Sequence, residues 1–251
     1  MIKNPKKKTN KVIVVLPAYN AERTLEKTYN EIPKRIVDNI ILVDDGSKDK
    51  TAIVSKKLGI KTIVHKKNQG YGANQKTCYT NALKIGADYV IMLHPDGQYD
   101  PNDLPKFIKT LKKGKADLVL GSRFMGGGRD ETPFYKSFSI KIITFLFNLV
   151  LGTKISEVNT GYRGYTRHAL ETIPFMKNGS GYIFDPQAII QIVNAGFKIA
   201  DVPVSKKYNK EAISPNFKKS VEHGIENIKL LYQYILHKWS IKKADFLVGM
   251  H

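Results

Sequence analysis

Short apolar runs, closed by polar or turn-forming residues, recur along the chain. The clearest covers residues 89–93 and ends at Pro95 and Gly97, a pattern typical of a strand that is buried on both faces. Similar runs predict further strands at residues 12–16, 39–43, 61–65 and 117–120.

Stretches with helical spacing separate these strands. They predict helices at residues 21–35, 50–58, 102–113 and 134–151, and further helices that end near Ile85, Asn194 and His237. The alternation of strand, loop and helix predicts an α/β fold with a mainly parallel sheet and right-handed crossovers. Ligands bind at the carboxyl ends of the strands in such sheets, so the loops that follow the strands form the candidate site.

Length, charge and cysteine content narrow the class of protein. The 251 residues are enough for one α/β domain, and 42% hydrophobic with 25% charged residues is ordinary for a globular protein. The formal net charge of +19 indicates a polyanionic partner, which leaves nucleic acid, anionic lipid headgroups and a nucleotide with a phospholipid substrate as alternatives. The single cysteine, Cys78, excludes an intramolecular disulfide framework and fits a reducing compartment.

The two ends of the chain differ from the rest. Residues 1–11 form a basic tail without the apolar segment of a signal peptide, and no apolar run approaches the roughly 20 residues that span a bilayer. We therefore expect a cytoplasmic protein. The domain boundaries that we predict, a single domain at residues 12–236 and a C-terminal tail at residues 237–251, follow the span of the family resemblance described below.

Polar side chains follow three of the predicted strands, at residues 17–20, 44–47 and 94–98. Asp96 and Gln98 are two residues apart, so in an extended segment their side-chain oxygens point the same way and can hold one hard cation. A magnesium-type ion needs only one or two protein oxygens when water and substrate phosphates complete its shell. The alternative is a plain surface turn, since Asp and Gly favour turns on backbone grounds.

Two further loops carry groups that suit an anion. Gly70 and Gly72 open a predicted helix whose N-terminus favours an anion. Gln75 stands where a dinucleotide-binding motif needs its third glycine, which disfavours a nicotinamide site. Arg123 follows a predicted strand, where its guanidinium can fork onto phosphate oxygens or pair with a surface carboxylate.

Five segments of the chain form an ordered set of motifs. They are Val-Ile-Val-Val-Leu-Pro-Ala-Tyr-Asn from residue 12, Leu-Val-Asp-Asp-Gly-Ser-Lys-Asp-Lys-Thr from 42, Asn-Gln-Gly-Tyr-Gly-Ala from 68, His-Pro-Asp-Gly-Gln-Tyr-Asp-Pro from 94 and Gly-Ser-Arg-Phe from 121. In order and spacing this set resembles the motifs of family 2 glycosyltransferases, in particular the branch of dolichyl-phosphate mannose synthase and the polyprenyl-phosphate glycosyltransferases. The resemblance implies the GT-A fold, a nucleotide-diphosphate sugar donor, Mg²⁺ or Mn²⁺, inversion at the anomeric carbon and a polyprenyl or dolichyl phosphate acceptor.

The resemblance also assigns roles to individual residues. Asp96 and Gln98 match the metal ligands, and His94 stands where the family usually has the first aspartate of Asp-x-Asp, so the carboxylate charge is missing there. Ala21 stands where the family often has a glutamate, which leaves Glu22 as its substitute. The residues assigned to nucleotide-sugar binding are Pro17, Ala18, Tyr19, Glu22, Asp44, Asp45, Lys76, His94, Pro95, Asp96 and Lys207.

On the acceptor side, the resemblance assigns phosphate binding to Arg123, Lys136 and Arg163, with a structural ion pair as the alternative role of Arg163. Residues 134–151 form either an amphipathic helix in the membrane interface or a helix buried against the sheet, and in the resembled branch a helix here lies against the bilayer. Asp185 is the carboxylate best placed for acid/base work. Its alternative is an ordinary helix N-terminal residue that interacts with the helix dipole.

Three hypotheses follow for the function. In the first, a cation on Asp96 and Gln98, with Arg123 or Lys207 nearby, stabilises the leaving diphosphate. A lipid phosphate attacks without a base, at the anionic inner face of the membrane. In the second, the acceptor is a hydroxyl on a glycan or other molecule, and Asp185 is the base. In the third, the chain is a nucleotide- or nucleic-acid-binding module. Because the lysines are scattered and no stacking motif is present, we expect no nucleic-acid partner.

Overall fold

The computed structural model describes residues 10–125, 134–205 and 217–249, and the side chains of all of these except residues 134–136 and 217–220. The strands are β1 (Val12–Ala18), β2 (Asn39–Asp44), β3 (Lys61–Val64), β4 (Tyr89–Met92), β5 (Leu118–Ser122), β6 (Arg163–Thr166) and β7 (Ile199–Pro203). The α-helices are α1 (Leu25–Glu31), α2 (Thr51–Lys57), α3 (Tyr71–Lys84), α4 (Leu104–Lys112), α5 (Phe134–Leu151), α6 (Arg167–Thr172), α7 (Phe184–Asn194) and α8 (Phe217–Lys238). Short 3₁₀ helices lie at Lys34–Ile36, Pro101–Asp103, Phe175–Lys177 and Asp245–Leu247.

The seven strands of the described residues form one sheet, in the order β3-β2-β1-β4-β6-β5-β7. β1 pairs in parallel with β2 and β4, β2 with β3, and β5 with β7, whereas β6 is antiparallel to both β4 and β5. Six strands therefore end at one edge of the sheet, and β6 begins there. This architecture confirms the predicted α/β fold with a mainly parallel sheet.

Alternate residues of the central strands enter two cores, one on each face of the sheet. Ile13 and Val15 of β1 belong to one core, with Phe147 of α5, whereas Val14 belongs to the other, with Phe107 of α4. Burial of each such side chain stabilises the fold by roughly 1.5–3 kcal/mol relative to exposure. Together the two cores fix the sheet whose edge carries the candidate site.

One predicted helix differs from the structure, and one strand was not predicted. The helix predicted at residues 21–35 is α1, which begins only at Leu25. It ends at Glu31 because Ile32 precedes Pro33 and takes an extended conformation, with φ −63° and ψ 125°. The sequence patterns did not predict β6, since its four residues, Arg-Gly-Tyr-Thr, are too short a run to show alternation. The helix predicted at residues 134–151, by contrast, has those bounds in the structure.

The C-terminal residues close one of the cores. We predicted a tail at residues 237–251, but α8 continues to Lys238 and the chain then turns back, so that Ala244, Phe246 and Leu247 are buried. The segment is too short for its apolar residues to show a periodic pattern, which is why the sequence alone indicated a tail. Of the predicted basic tail at the other end, residues 1–9 lie outside the described part of the chain.

Helix α5 has two apolar faces. Ile143 and Phe147 are buried in the core, whereas a second set of large apolar side chains on the same helix is 43–69% exposed. This set consists of Phe138, Ile142, Phe145 and Leu149. None of the helices in the described ranges is long and apolar enough to cross a membrane.

Candidate functional site

The loops after β1, β2, β4 and β5 meet at one edge of the sheet, where β6 begins. Pro17 and Ala18 are the last residues of β1, and Tyr19 follows them, partly exposed. The amide of Asp45, just beyond β2, donates to the carbonyl of Ala18 at 2.9 Å. The polar clusters predicted at the strand ends are therefore brought together.

Asp45 ties the loops at this edge to one another. It is 3% exposed, and its Oδ1 lies 2.7 Å from His65 Nδ1 and accepts from the amide of Gln69 at 2.9 Å. Its Oδ2 accepts from the amide of Gly70, also at 2.9 Å. His65 Nε2 lies 2.9 Å from the hydroxyl of Thr77. Both oxygens of Asp45, which we predicted to bind the nucleoside, thus hold the protein's own loops.

Asp44 is buried next to Asp45 and links the loops that follow β1 and β2. Its Oδ1 accepts from the Ser47 hydroxyl and its Oδ2 from the Ser47 amide at 3.3 Å. The Ser47 hydroxyl oxygen also accepts from the amide of Asn20 at 2.8 Å. Burial raises the pKa of Asp44, which the hydrogen bonds from Ser47 oppose and the charges of Asp49 and Asp45 reinforce.

Glu22 joins the same two loops. Its Oε2 accepts from the amide of Lys50 at 2.7 Å, and its own amide donates to Asp49 Oδ2 at 3.1 Å. The neighbouring amide of Ala21 donates to the hydroxyl of Thr51 at 2.8 Å. These contacts fix the loop after β1 on the N-terminus of α2, and a nucleotide contact by Glu22 stays a prediction.

Asp96 and Gln98, the predicted metal ligands, are in contact. The Gln98 amide donates to Asp96 Oδ1 at 3.0 Å, and Gln98 Nε2 donates to Asp96 Oδ2 at 2.9 Å. Gly97 between them has a φ of 73°, which favours glycine, and the carbonyl of Pro95 accepts from the Thr24 hydroxyl at 2.5 Å. A carboxylate and an amide fit a hard cation that takes one or two protein oxygens. Among the described residues, no group of three or more His, Cys, Asp or Glu side chains could hold a metal ion.

The ring of His94, two residues before Asp96, stacks on the ring of Tyr71. The ring centroids are 5.3 Å apart and the planes are inclined by 16°. Gly161 lies against the same histidine, because a Cβ atom at Gly161 would come within 2.9 Å of His94 Cδ2. His94, which we predicted in the nucleotide-sugar site, is therefore positioned by close packing.

Tyr71 connects His94 to Asp185. The Tyr71 hydroxyl donates to Asp185 Oδ2 at 2.7 Å, and Gln75 Nε2 donates to Asp185 Oδ1 at 3.0 Å. Arg163 Nη2 lies 3.6 Å from Asp185 Oδ2. Burial, reinforced by the charge of Asp185, raises the pKa of Tyr71. Both carboxylate oxygens of Asp185, which is 5% exposed, thus face donors within the protein.

Arg163 is fully buried at the start of β6. Its Nε donates to the carbonyl of Thr160 at 2.7 Å, its Nη1 to the carbonyl of Asp185 at 3.1 Å and its Nη2 to the carbonyl of Val158 at 2.9 Å. Burial acts to lower the pKa of Arg163, but the charge of Asp185 more than compensates and raises it. The predicted contact with an acceptor phosphate conflicts with this burial. The structure shows the alternative, an ion pair inside the fold.

Arg123 is buried directly after β5. Its Nη2 donates to the carboxylate of Glu157, and its amide donates to Glu157 Oε2 at 3.4 Å. We expected either a phosphate or a surface carboxylate as partner, and the observed carboxylate is buried. Lys141 of α5 has an exposed side chain, and its Nζ lies 5.3 Å from the centroid of the Phe124 ring. The guanidinium carbon of Arg123 lies at the same distance from that centroid. Lys141 therefore brings a second cation to this end of β5.

The N-terminus of α3 is covered by the loop at residues 178–181. The Gly72 amide donates to the carbonyl of Ser180 at 2.7 Å, and a Cβ atom at Gly70 would lie 2.6 Å from the same carbonyl. Lys76 Nζ donates to another carbonyl of this loop, and burial lowers the pKa of Lys76. The two glycines thus permit the approach of a protein loop, where we predicted the approach of an anion.

Two of the predicted site residues lie outside the part of the chain that can be described, and three residues of the observed site were not predicted. Lys207 and the side chain of Lys136 lie outside the described residues. The patterns did not predict Tyr71, Gln75 or Glu157. The available signal was the spacing of Tyr71 and Gln75, four residues apart and hence on one face of a helix that opens at a recognised motif.

The sequence profile described as Glycosyl transferase family 2 matches residues 13–173, which run from β1 to the end of α6. This chain is a family 2 glycosyltransferase. The match confirms the predicted family and the predicted class of enzyme.

Relatives with assigned names lie in the branch that the motifs indicated. The glycosyltransferase is 26% identical over 221 residues to UDP-N-acetylglucosamine–dolichyl-phosphate N-acetylglucosaminyltransferase of Methanococcus voltae, with 81% of this chain and 88% of that protein covered. It is 27% identical over 206 residues to polyprenol monophosphomannose synthase of Mycolicibacterium smegmatis, with 78% and 77% covered.

Solved structures give the same fold. Glucosyl-3-phosphoglycerate synthase from Mycobacterium tuberculosis, in complex with uridine diphosphate, matches the glycosyltransferase with a TM-score of 0.69 at 20% identity, covering 93% of this chain and 82% of that one. Other crystal structures of that synthase contain Mn²⁺ or Mg²⁺ with uridine diphosphate. The likeness confirms the predicted GT-A fold.

Proposed function

We propose that this glycosyltransferase moves a sugar from a nucleotide-diphosphate donor to a polyprenyl or dolichyl phosphate at a membrane surface, with inversion at the anomeric carbon. The nucleoside would lie near Asp44 and residues 17–19, and the diphosphate near Asp96. The names of the two relatives, which specify a dolichyl phosphate and a polyprenol product, support this acceptor. The uridine diphosphate bound by the similar synthase supports a nucleotide donor.

Asp96 and Gln98 are the residues that would hold Mg²⁺ or Mn²⁺. The ion would neutralise the negative charge that develops on the leaving diphosphate. The chain contributes a fixed loop, because the turn at Gly97 and the bond from Thr24 to the Pro95 carbonyl hold these side chains in place.

The observation that favours a phosphate acceptor is that Asp185 is bonded to other side chains of the protein. A hydroxyl acceptor needs a base, which is typically worth 10²- to 10⁴-fold in rate. We predicted Asp185 as that base, yet its carboxylate oxygens accept hydrogen bonds from Tyr71 and Gln75 and form an ion pair with Arg163. A phosphate oxygen is already an anion, so it forms its bond to the anomeric carbon, as the bond to the diphosphate breaks, without a proton to remove.

Helix α5 supplies a surface that suits the lipid part of such an acceptor. Its exposed apolar residues Phe138, Ile142, Phe145 and Leu149 recur every three or four positions, which places them on one face. Lys141 lies on the same helix, beside Phe124 and near Arg123. An apolar face with a cation close to the sheet edge supports the interfacial alternative for residues 134–151 and a lipid phosphate as acceptor.

The proposal is tested with two acceptors that differ only in the phosphate. The enzyme receives labelled sugar nucleotides with Mg²⁺ or Mn²⁺, and either a short-chain polyprenyl phosphate or the matching polyprenol. We expect label in the organic phase only with the phosphate, abolished by a chelator and reduced at least about 100-fold in Asp96→Ala. Glu31→Ala, at an exposed carboxylate at the end of α1, is the control. Transfer to polyprenol or to a glycan hydroxyl would reject the phosphate acceptor in favour of base catalysis.

A further inference from the structure

The end of α8 carries a turn that presents two large apolar side chains to solvent. Trp239 is 69% exposed and Ile241 is 66% exposed. Ser240 between them has a φ of 58°, and its amide donates to the His237 carbonyl at 3.0 Å, while the Ile241 amide donates to the Leu236 carbonyl at 2.9 Å. This pair of bonds is the Schellman pattern of a helix C-terminus, so the turn is a defined part of the fold.

The residues after the turn fix its base. The amide of Ala244 donates to His237 Nδ1 at 3.2 Å, and the side chains of Phe246 and Leu247 are buried in the core. The exposed pair therefore projects from an anchored segment.

Trp239 also continues an exposed apolar stripe on α8. Val221, Ile225, Ile228 and Tyr232 are 46–62% exposed and recur every three or four residues, which places them on one face of the helix. Trp239 follows Tyr232 after seven residues, or about two helical turns, and so extends the same face.

The charges within the turn, residues 238–243, are all positive. Lys238, Lys242 and Lys243 flank the exposed pair, and the nearest acidic residue along the chain is Asp245, just after the turn. Tryptophan favours the interface of a bilayer, and lysines are attracted to the negative potential of anionic headgroups. A second copy of this chain fits less well, because a two-fold contact through the turn would bring like charges together.

We propose that residues 238–243, the anchor turn, place Trp239 and Ile241 in the interface of an anionic bilayer, with the flanking lysines against the headgroups. This inference deepens the proposed function, since it names the contact that holds the enzyme where a lipid phosphate lies. The binding itself can be measured without sugar transfer, so the two proposals can fail separately.

The sequence provides a probe at the right place. Trp239 is the only tryptophan of the chain, so intrinsic tryptophan fluorescence reports on the anchor turn alone. The full chain is mixed with vesicles of phosphatidylcholine and phosphatidylglycerol, and in parallel with vesicles of phosphatidylcholine alone. With the anionic vesicles we expect flotation of the protein, a shift of the emission to shorter wavelength and quenching by brominated acyl chains.

Variants that keep the tryptophan measure each part of the contact. Ile241→Ser should weaken the partition into anionic vesicles about tenfold, because an exposed apolar side chain no longer enters the interface. Replacing Lys242 and Lys243 by Gln should weaken it about fivefold per charge, the equivalent of roughly 1 kcal/mol per lysine. Ile53→Ser, on the exposed surface of α2, is the matched control and should bind like the wild type. The unfolding midpoint of each variant shows that it is folded.

Flotation without the spectral shift would overturn the proposal, because the contact would then lie elsewhere on the chain. Absence of flotation with anionic vesicles would overturn it as well. A dimer that dissociates in Ile241→Ser, without vesicle binding, would assign the turn to a second copy. The spectral shift in an enzyme that makes no lipid-linked product would support the anchor turn and reject the acceptor proposal alone.

Discussion

Asp185 lies between a buried charge and an aromatic ring. Arg163, fully buried, directs its donors to backbone carbonyls and has Asp185 as its charged partner at 3.6 Å. Asp185 in turn accepts from Tyr71, whose ring stacks on His94 beside the predicted metal loop. We infer that Asp185 positions the site through Tyr71. Mutation of a positioning residue and mutation of a base should have different effects on stability and on the rate of transfer.

The variant Asp185→Asn separates the two roles. It should lower the free energy of unfolding by about 3 kcal/mol, because the buried charge of Arg163 loses its counter-charge. In the folded variant, transfer to a polyprenyl phosphate should stay within about tenfold of the wild type, since loss of a base typically costs 10²- to 10⁴-fold. Urea denaturation measures the first effect and initial rates measure the second.

Tyr71→Phe is the companion to that variant. It removes the hydroxyl bond to Asp185 but keeps the ring over His94, so a loss of roughly 1–3 kcal/mol in stability with near-normal transfer is expected. A rate that falls more than a hundredfold in folded Asp185→Asn, but not in Tyr71→Phe, would contradict the positioning role and restore Asp185 as a base.

His223 makes the stability of the fold depend on pH. Its ring lies 5.9 Å from the ring of Tyr182, and its Nδ1 lies 3.7 Å from Glu226 Oε2. Burial lowers the pKa of His223 below 6.5, although Glu226 and Asp185 act in the opposite direction. Below pH 6.5 the unfolded chain therefore binds a proton at this histidine more readily than the folded chain does. The free energy of unfolding consequently decreases as the pH is lowered below 6.5, and above that pH this histidine has no effect on it.

His223→Gln removes that pH dependence. Between about pH 7 and pH 5 the variant should lose less stability than the wild type, because the glutamine does not titrate. Urea midpoints at both pH values, for both proteins, measure the difference. Equal losses in the two proteins would show that the buried histidine is not the group that titrates.

At the scale of elements, two helical glycines have opposite environments. A Cβ atom at Gly72 in α3 would collide with the carbonyl oxygen of Gly179 and lie 2.7 Å from Phe184 Cβ, whereas nothing lies within 4 Å of one at Gly224 in α8. Alanine favours a helix over glycine by about 1 kcal/mol when there is room for it.

We therefore expect opposite signs for the two alanine variants. Gly224→Ala should raise the free energy of unfolding by about 0.5–1 kcal/mol, and Gly72→Ala should lower it by about 2 kcal/mol or more, because the loop at residues 178–181 must move off α3. Chemical denaturation of both variants measures the pair. Stabilisation by Gly72→Ala would mean that this loop gives way easily.

Elements were predictable from sequence where they are long or buried on both faces. α5 was predictable from its 18-residue length and its many apolar residues, although Lys136 and Lys141 interrupt them, and β4 shows its burial as a continuous apolar run. β6 was not predictable, because its four residues begin with a charged arginine and so resemble a loop. Only the structure shows that a buried carboxylate lies beside that arginine. A sequence pattern reflects local conformational preference, whereas β6 is a strand because it pairs with β4 and β5 on either side.

At the scale of the whole molecule, the position of the site was predictable and its internal contacts were not. The loops that carry Asp44 and Asp96 follow parallel strands, so the sheet rule places them at one edge. The contact between Tyr71 and Asp185 joins residues 114 positions apart, and no local pattern encodes such a pairing. For the same reason Arg163 looked like a phosphate ligand: its charge is visible in the sequence, while the carboxylate that neutralises it is distant.

The order of the strands also determines how a newly made chain can assemble. β5 does not pair with β4, because β6 lies between them. During synthesis the open edge of β4 has no neighbour until β6 emerges, roughly seventy residues later, or about 4–15 s at ordinary elongation rates. β5 is already made in that interval, but both of its partners, β6 and β7, follow it in the chain. The nascent enzyme is therefore expected to expose the open edge of β4 and both edges of β5 to chaperones and to other chains. When β6 arrives it pairs with β4 and with β5 at once, and the other edge of β5 stays open until β7 follows.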